Sequence, residues 1–409
     1  MNLGGVITVS GVSFMMLCLF IVAALGYALG RITIKGVNLG TAGVFVVALL
    51  FGCFFYPQLD AQLQTAGVSY TGNALKIIEN LGLILFVSAV GFIAGPNFFA
   101  GLKKNFKSYI VLGAIIILSG GFVCALCILL LGCDPAMATG LLAGALTSTP
   151  AFSAAKETVA VVYAADAVKA AEVESMVTVG YGIAYLFGVV GVVLFVQLIP
   201  KITKANMDEE RKLISIASNG GRVMKEKKGL IKLDDMGFGA YAIAVAIGII
   251  VGSIKIPMGN SAFSLGTTGG ILLTSLVIAH FGQIWKLDMK VEKRILEIFR
   301  ELGLMFFLMG AGIPGGAKFV QYFNPLYLLY GALMTTIPMF AGYLFAKKVL
   351  KLSLFNNLGS ITGGMTSTPA LGTLINVAGT DDVASAYAAT YPVALVLVVL
   401  VSQFLIMLF

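Results

Sequence analysis

Charge is scarce in this chain. Lys, Arg, Asp and Glu supply 11% of its 409 residues, against about 25% in soluble domains, and the mean hydropathy is +0.98. That excludes a soluble globular domain. Histidine is nearly absent: His280 is the single copy, so a zinc centre or a histidine-based catalytic site has no residues to draw on. His280 itself reads as a polar residue at a helix end. The five cysteines (Cys18, Cys53, Cys124, Cys127 and Cys133) all fall in apolar stretches of the first half. Cys124-x-x-Cys127 has no His or carboxylate nearby, so it reads as packing rather than as a redox or metal pair. Catalytic carboxylate pairs and pore-lining charge rings are also missing. The expectation is a protein that is not an enzyme and uses no cofactor and no metal.

What is present is apolar length. Ten stretches are long enough, or nearly so, to cross a ~30 Å hydrocarbon core as helices: about 11–30, 38–56, 80–98, 108–132, 176–199, 237–253, 262–281, 297–313, 325–346 and 383–409. The first carries no basic residue ahead of its apolar run, Arg31 following it, and so reads as a membrane span rather than a cleaved signal. The fold class expected is an all-α, multi-pass membrane protein.

A net charge of +8 would suggest a nucleic-acid partner in a soluble protein. Here it reads as topology. If the ten spans alternate and the N-terminus is outside, 22 of the 27 Lys and Arg fall in inner loops. Lys76, Lys156, Lys169, Lys255 and Lys318 are the exceptions. The asymmetry places both termini outside a cell membrane, and no nucleic acid is expected.

The chain repeats itself. Thr147-Ser148-Thr149-Pro150-Ala151 recurs as Thr366-Ser367-Thr368-Pro369-Ala370. Leu39-Gly40-Thr41-Ala42-Gly43 answers Leu265-Gly266-Thr267-Thr268-Gly269. Leu81-Gly82-Leu83 answers Leu302-Gly303-Leu304, Gly91, Gly95 and Phe98 answer Gly312, Gly316 and Phe319, and Tyr181-x-x-x-Tyr185 answers Tyr387-x-x-x-Tyr391. Three segments follow: repeat one over 1–199, a cytosolic linker over 200–236, and repeat two over 237–409. Each repeat holds five crossings, and five is odd. The second copy must therefore enter the membrane inverted.

Each pentapeptide lies inside a segment that does not cross, about 135–165 and 354–380. From Pro135 to Thr147 is about a dozen residues, roughly 18 Å of helix at 1.5 Å per residue, which reaches the bilayer centre and stops. Proline then disfavours helix at the residue before it and removes a donor. Irregular backbone at that depth is tolerated where it is buried in protein or lines a wet cavity. Both segments read as re-entrant hairpins whose tips meet. Thr149 and Thr368 are expected to cap the return helices, with Pro150 and Pro369 in the first helical position. The free N–H groups there would form an anion cradle, and Thr147, Ser148, Thr366 and Ser367 add hydroxyls. Ala151 and Ala370 complete the two motifs. The competing reading is a structural helix break with no ligand.

Other residues add to the candidate site. Lys156 and Glu157 lie in the first return arm, where charge is costly and often functional, and the second copy has no charged counterpart. Lys156 is a candidate substrate contact, against the alternative that it pairs or snorkels. Tyr181 and Tyr391, each with a tyrosine four residues away on the same helix face, are candidates to line the site, with packing as the alternative. Glu79 and Glu301 read as solvated helix ends. The linker from Lys201 to Asp235 carries nine basic and six acidic residues and reads as a short helix or a segment on the inner leaflet.

Gly144-Ala-Leu-Thr-Ser-Thr-Pro-Ala151, its second copy, Gly91-x-x-x-Gly95-Pro96-x-Phe98 and Tyr387-x-x-x-Tyr391-Pro392 resemble the aspartate–alanine exchanger family of bacterial secondary transporters. The resemblance covers both membrane halves. It implies an antiporter of small anionic or zwitterionic, carboxylate-bearing substrates, amino acids or dicarboxylates. It also implies an elevator-type movement, and the glycine-rich second and seventh spans are expected to help form a scaffold and the interface of a homodimer in the bilayer. Two departures stand out: family members carry a large cytosolic insert with regulatory domains where this chain has a short linker, and Leu186 stands where the second repeat has Pro392. A weaker likeness, to sodium–glutamate symporters, rests on Gly132-x-Asp134-Pro135 and leaves ion- or proton-coupled symport as the alternative.

Overall fold

The fold was analysed in a computed structural model, which describes residues 2–3, 7–32, 40–65, 68–98, 106–218, 230–258, 261–263, 265–380 and 382–409. Lys35, Leu39, Lys103 and Lys104, used in the charge and repeat arguments, lie outside them, as do the side chains of Thr368 and Pro369. Fifteen helices carry the described chain. In order they are α1 (Gly11–Gly30), α2 (Ala42–Gln62), α3 (Thr71–Phe98), α4 (Phe106–Leu131), α5 (Pro135–Ala145), α6 (Thr149–Val162), α7 (Ala167–Ile202), α8 (Met207–Ser218), α9 (Phe238–Gly252), α10 (Gly266–Phe281), α11 (Lys293–Tyr322), α12 (Pro325–Lys348), α13 (Leu354–Gly364), α14 (Thr368–Ala378) and α15 (Val383–Leu408). The strands form only two-stranded hairpins of two or three residues a side.

Seven of the helices (α1, α2, α3, α4, α7, α12 and α15) are long and apolar enough to cross a membrane. Of the other three expected spans, α9 and α10 have 15 and 16 residues, short of the ~20 that a perpendicular crossing needs. The remaining one, α11, is 30 residues long but opens on Lys293, Arg294, Glu297, Arg300 and Glu301. Large apolar side chains face outward along the crossing helices, among them Phe20, Phe54, Phe122, Leu130 and Leu344, as a lipid solvent permits.

Two helices start about nine residues earlier than hydropathy suggested. One, α3, begins at Thr71 rather than near 80, and α7 at Ala167 rather than near 176. The added turns carry Lys76, Glu79 and Glu174, whose charges are neutralised against other helices, so helix continues where an unpaired charge would have ended an apolar span.

The helices sort by what they touch. One group is α1–α3 with α9–α11, centred on α3 against α11, with α2 on α11 and α10 on α3. The other is α4–α7 with α12–α15, in which α4 meets α12, α5 lies along α7, α13 lies along α15, α6 packs on α15 and α14 packs on α7. Renumbering every helix of one half by its partner in the other reproduces these neighbours. At the centre of the first group Gly82 and Gly303 face each other. A Cβ on either would strike the other's carbonyl, so only glycine allows α3 and α11 to cross this closely.

The linker is a clasp. Its helix α8 lies under the second hairpin, where the Glu210 carboxylate accepts from the Leu354 N–H (2.8 Å) at the head of α13. Beside it, Arg211 Nε donates to the Ala378 carbonyl (2.6 Å) at the end of α14. Those are the orphan groups a helix leaves at its two ends, so one short helix ties both arms of the hairpin at their base. Further on, the Asp234 carboxylate accepts from the amides of Gly239, Phe238, Gly237 and Met236 as the chain enters α9. The Gly239 bond first, and then its neighbours, hold that carboxyl below the usual range. Arg211→Ala and Glu210→Ala should each loosen the hairpin base by about 1 kcal/mol, the typical worth of a helix cap. In hydrogen exchange the faster amides should be confined to the outer turns of α13 and α14. A uniform rise across the protein would mean α8 is a general stabiliser instead.

Candidate functional site

Each pentapeptide lies at a turn between two short helices, α5 and α6 in the first copy and α13 and α14 in the second. Eleven residues each, α5 and α13 span about 17 Å and stop inside the protein. Asp134 caps α5 by accepting from Ala136 N (2.9 Å) and Met137 N (3.1 Å), which accounts for the Asp-Pro ahead of the first hairpin.

The two tips have the same construction. Thr147 N–H donates to Gly144 O and Ser148 N–H to Ala143 O. In the second copy Thr366 N–H donates to Gly363 O and Ser367 N–H to Thr362 O. This is the paired 5→2 and 6→1 closure of a Schellman turn, which wants a left-handed residue, usually glycine, at its hinge. Here the hinge is threonine, with φ +52° at Thr147 and +50° at Thr366. A β-branched residue in that region is strained by roughly 1–2 kcal/mol.

The strain has a counterpart across the interface. Thr147 Oγ1 donates to Met365 O (3.1 Å), and Thr366 Oγ1 donates to Leu146 O (2.9 Å). Each hinge hydroxyl thus satisfies the last carbonyl of the opposite hairpin's inward helix. The tips meet as expected, and they meet through a reciprocal pair of bonds. Those two hydroxyls are committed to the protein rather than held open for a ligand.

The expected capping residue is corrected by one position. In the first return arm Ser148, not Thr149, is the cap, and its hydroxyl accepts from Ala151 N (3.3 Å). The same register holds at Ser367, ahead of an α14 that begins at Thr368. Prolines 150 and 369 therefore fall in the second helical position. The left-handed hinge takes one residue and the extended cap the next, so the helix starts at the threonine. Thr149 Oγ1 instead lies 3.3 Å from the Tyr181 hydroxyl.

Tyr181 is fully buried, stacked on Phe152 (centroids 4.3 Å) and edge-on to Phe45 (5.3 Å). It supports the first hairpin from behind. Tyr391 is half-buried and stacks on Tyr387 at 4.9 Å, the distance that also separates Tyr181 from Tyr185. The two tyrosine helices approach the inward arms in the same way. A Cβ on Gly144 would strike Tyr181 O, and one on Gly363 would strike Tyr387 O, which is why both motifs open on glycine.

Glu79 is not a solvated end. It is buried and accepts from Lys156 Nζ at 2.6 Å, with side-chain exposures of 8% and 7%. Lys156 is also 4.0 Å from Glu174, which pairs with Lys76 at 2.6 Å. Burial this deep requires the countercharge, because an isolated ion at this depth is prohibitively costly, so Lys156 is a paired residue first. Its neighbour Glu157 accepts from Thr268 Oγ1 (2.8 Å) and Thr268 N (3.2 Å) at the head of α10. These bonds join hairpin one to α3 and α10 in the other helix group. The lysine–glutamate partners were missed by sequence reasoning. Lys76-x-x-Glu79 and Glu174, each at the threshold of an apolar stretch, were the available signal. Glu301, part-exposed in the third turn of α11, accepts from Thr41 Oγ1 (3.1 Å). His280 is at the end of α10, and Cys124 and Cys127 are buried free thiols on α4.

A protein-family description, the predicted permease membrane region of the aspartate–alanine exchanger type, matches residues 18–201 and 240–407. The chain belongs to this family. An uncharacterized transporter of Bacteroides thetaiotaomicron is 25% identical over 548 aligned positions, covering 94% of this chain and 96% of that protein. One from Bacteroides fragilis is 26% identical over 94% of the chain and 96% of its own length. A third, from Rhodopirellula baltica, is 24% identical over 95% and 98%. An alignment of 548 positions exceeds the 409 residues available, so the relatives carry extra residues. The family match breaks where this chain has the α8 linker. As a member of this exchanger family, the chain is a membrane transporter with several apolar helices.

Proposed function

We propose that this exchanger-family member is an antiporter of small carboxylate-bearing substrates, amino acids or dicarboxylates. In this reading ten spans form two inverted repeats, and the α4–α7/α12–α15 group carries the substrate past the α1–α3/α9–α11 group in an elevator movement. Both termini face outside, the protein sits in the cell membrane as a homodimer, and the glycine-rich α2 and α10 belong to the static scaffold. The observation that carries the reading is the meeting of the two hairpin tips. Two helices stop within the protein, their polar turns converge, and the return helices start there with their N-termini inside. Helix N-termini at such a depth favour negative charge, and broken helices at a repeat interface are where secondary transporters hold substrate. The matched neighbours of the two halves support duplication, and the basic inner loops support the orientation.

Reconstitution tests the reading. Labelled L-aspartate should enter liposomes rapidly only when they are preloaded with L-aspartate or L-alanine. Exchange of a monoanion for a neutral amino acid moves one charge, worth about 2.3 kcal/mol per 100 mV, or nearly fifty-fold in distribution. An imposed potential should therefore bias it strongly. Uptake into empty liposomes driven by a sodium or proton gradient would establish symport instead.

A further inference from the structure

The two tips are built alike but are not chemically alike. Among the described tip hydroxyls, Thr147 and Thr366 are spent on each other's hairpins, Thr149 lies against Tyr181, and Ser148 caps its own helix. Ser367 differs. It is 0% exposed, its Oγ has no hydrogen-bond partner, and it does not cap α14. Backbone geometry does not explain this, because Ser148 has φ −100°, ψ 98° and Ser367 has φ −96°, ψ 94°. The same cap is open to both serines, and only the first one makes it. A buried hydroxyl without a partner costs roughly 1–3 kcal/mol, and it lies here at the head of an 11-residue helix, whose first amides also lack a partner within that helix.

From this asymmetry we infer that the substrate's carboxylate is held by the second tip alone, by the Ser367 hydroxyl and the uncapped N-terminus of α14. The first tip, closed by its Ser148 cap, braces the second without taking the substrate's charge. The inference rests on the carboxylate-exchange reading and adds to it which hairpin recognises the charge. A neutral hydroxyl and helix amides suit a carboxylate, since both donate to it and neither brings a countercharge that would have to be neutralised when the site is empty. It also explains how near-identical motifs can serve a substrate with one obligatory carboxylate: one copy binds and the other braces.

Equilibrium binding of L-aspartate to the purified full-length protein, with the thermal midpoint measured in parallel, tests this. A hydrogen bond to a charged ligand is worth enough that Ser367→Ala should weaken binding about ten-fold or more, with a midpoint unchanged or raised, since no internal bond is lost and an unsatisfied buried hydroxyl is removed. Ser148→Ala should lower the midpoint and shift affinity by no more than about three-fold. In a background free of the native cysteines, L-aspartate should protect the thiol of Ser367→Cys from a methanethiosulfonate reagent and leave that of Ser148→Cys unprotected. This second readout stands if the alanine variant does not fold. Equal losses in both alanine variants, a larger loss in Ser148→Ala, or protection at 148 would overturn the assignment. If the unmodified protein binds neither L-aspartate nor succinate, the carboxylate reading itself fails, which is a distinct outcome.

Discussion

Lys156→Met should be among the most destabilising single changes in the protein, costing about 3–5 kcal/mol, because it leaves Glu79 buried without a countercharge. The two groups are 2.6 Å apart with exposures of 8% and 7%, so water cannot replace the lost partner. Glu79→Leu should cost a similar amount from the other side. The double variant should recover most of the loss, since an apolar pair of similar volume often replaces a buried ion pair at little cost. Lys76→Met is the control: its side chain is 43% exposed, and pairs of that kind are worth about 0–1 kcal/mol. Thermal midpoints in detergent for the four variants check the series. Additive losses in the double variant would show that the two side chains act separately. Transport should follow a different order, because the pair ties hairpin one to α3. If the helix groups slide, a double variant that is stable should exchange substrate with an altered rate while holding its affinity.

The tip lock should be nearly as sensitive. Thr147→Val keeps the shape and removes the hydroxyl, leaving Met365 O in a buried position without its donor, at about 1–3 kcal/mol. The strain of a β-branched residue in the left-handed region stays in place. Thr147→Gly loses the same bond but relieves the strain, so it should be less destabilising than Thr147→Val, although glycine is the smaller residue. That inversion is the diagnostic. Thr366→Val and Thr366→Gly should repeat it from the other hairpin against Leu146 O. The two valine changes together should cost less than their sum, because the first already loosens the contact that the second would break. Thermal midpoints of the five variants settle this. Strict additivity, or glycine worse than valine at both positions, would mean that the hydroxyls do not hold the tips together.

Part of this protein was legible in one dimension. The apolar spans, the half-length inward arms, the break before Thr-Pro and the duplication of the motif all follow from rules that act within a few residues: hydropathy over about twenty positions, proline's missing donor, a capping oxygen three residues from its amide. Even the one-residue error at the caps is local. It came from placing proline in the first helical position, when the left-handed Thr147 and the extended Ser148 push the helix start to Thr149. The exchanger-family resemblance stood on those same local motifs, and the family match over 18–201 and 240–407 agrees with it.

Partnership was not legible. Glu79 looked like a helix end because hydropathy weighs a carboxylate by its own transfer cost, whereas Lys156, 77 positions away in sequence, cancels that cost in the fold. The linker's mixed charge gave no sign that Glu210 and Arg211 take opposite ends of one hairpin. Nor could two identical pentapeptides reveal that Ser148 caps its helix while Ser367 does not. By itself the sequence determined the membrane class, the duplication and where the helices break, because those depend on neighbours along the chain. Which threonine meets which carbonyl, which lysine neutralises which glutamate and which tip keeps a free hydroxyl were decided by the tertiary structure alone. Hydrogen bonds and ion pairs are contacts of a few ångströms, and only folding brings residues 218 positions apart, as Thr147 and Met365 are, within that reach.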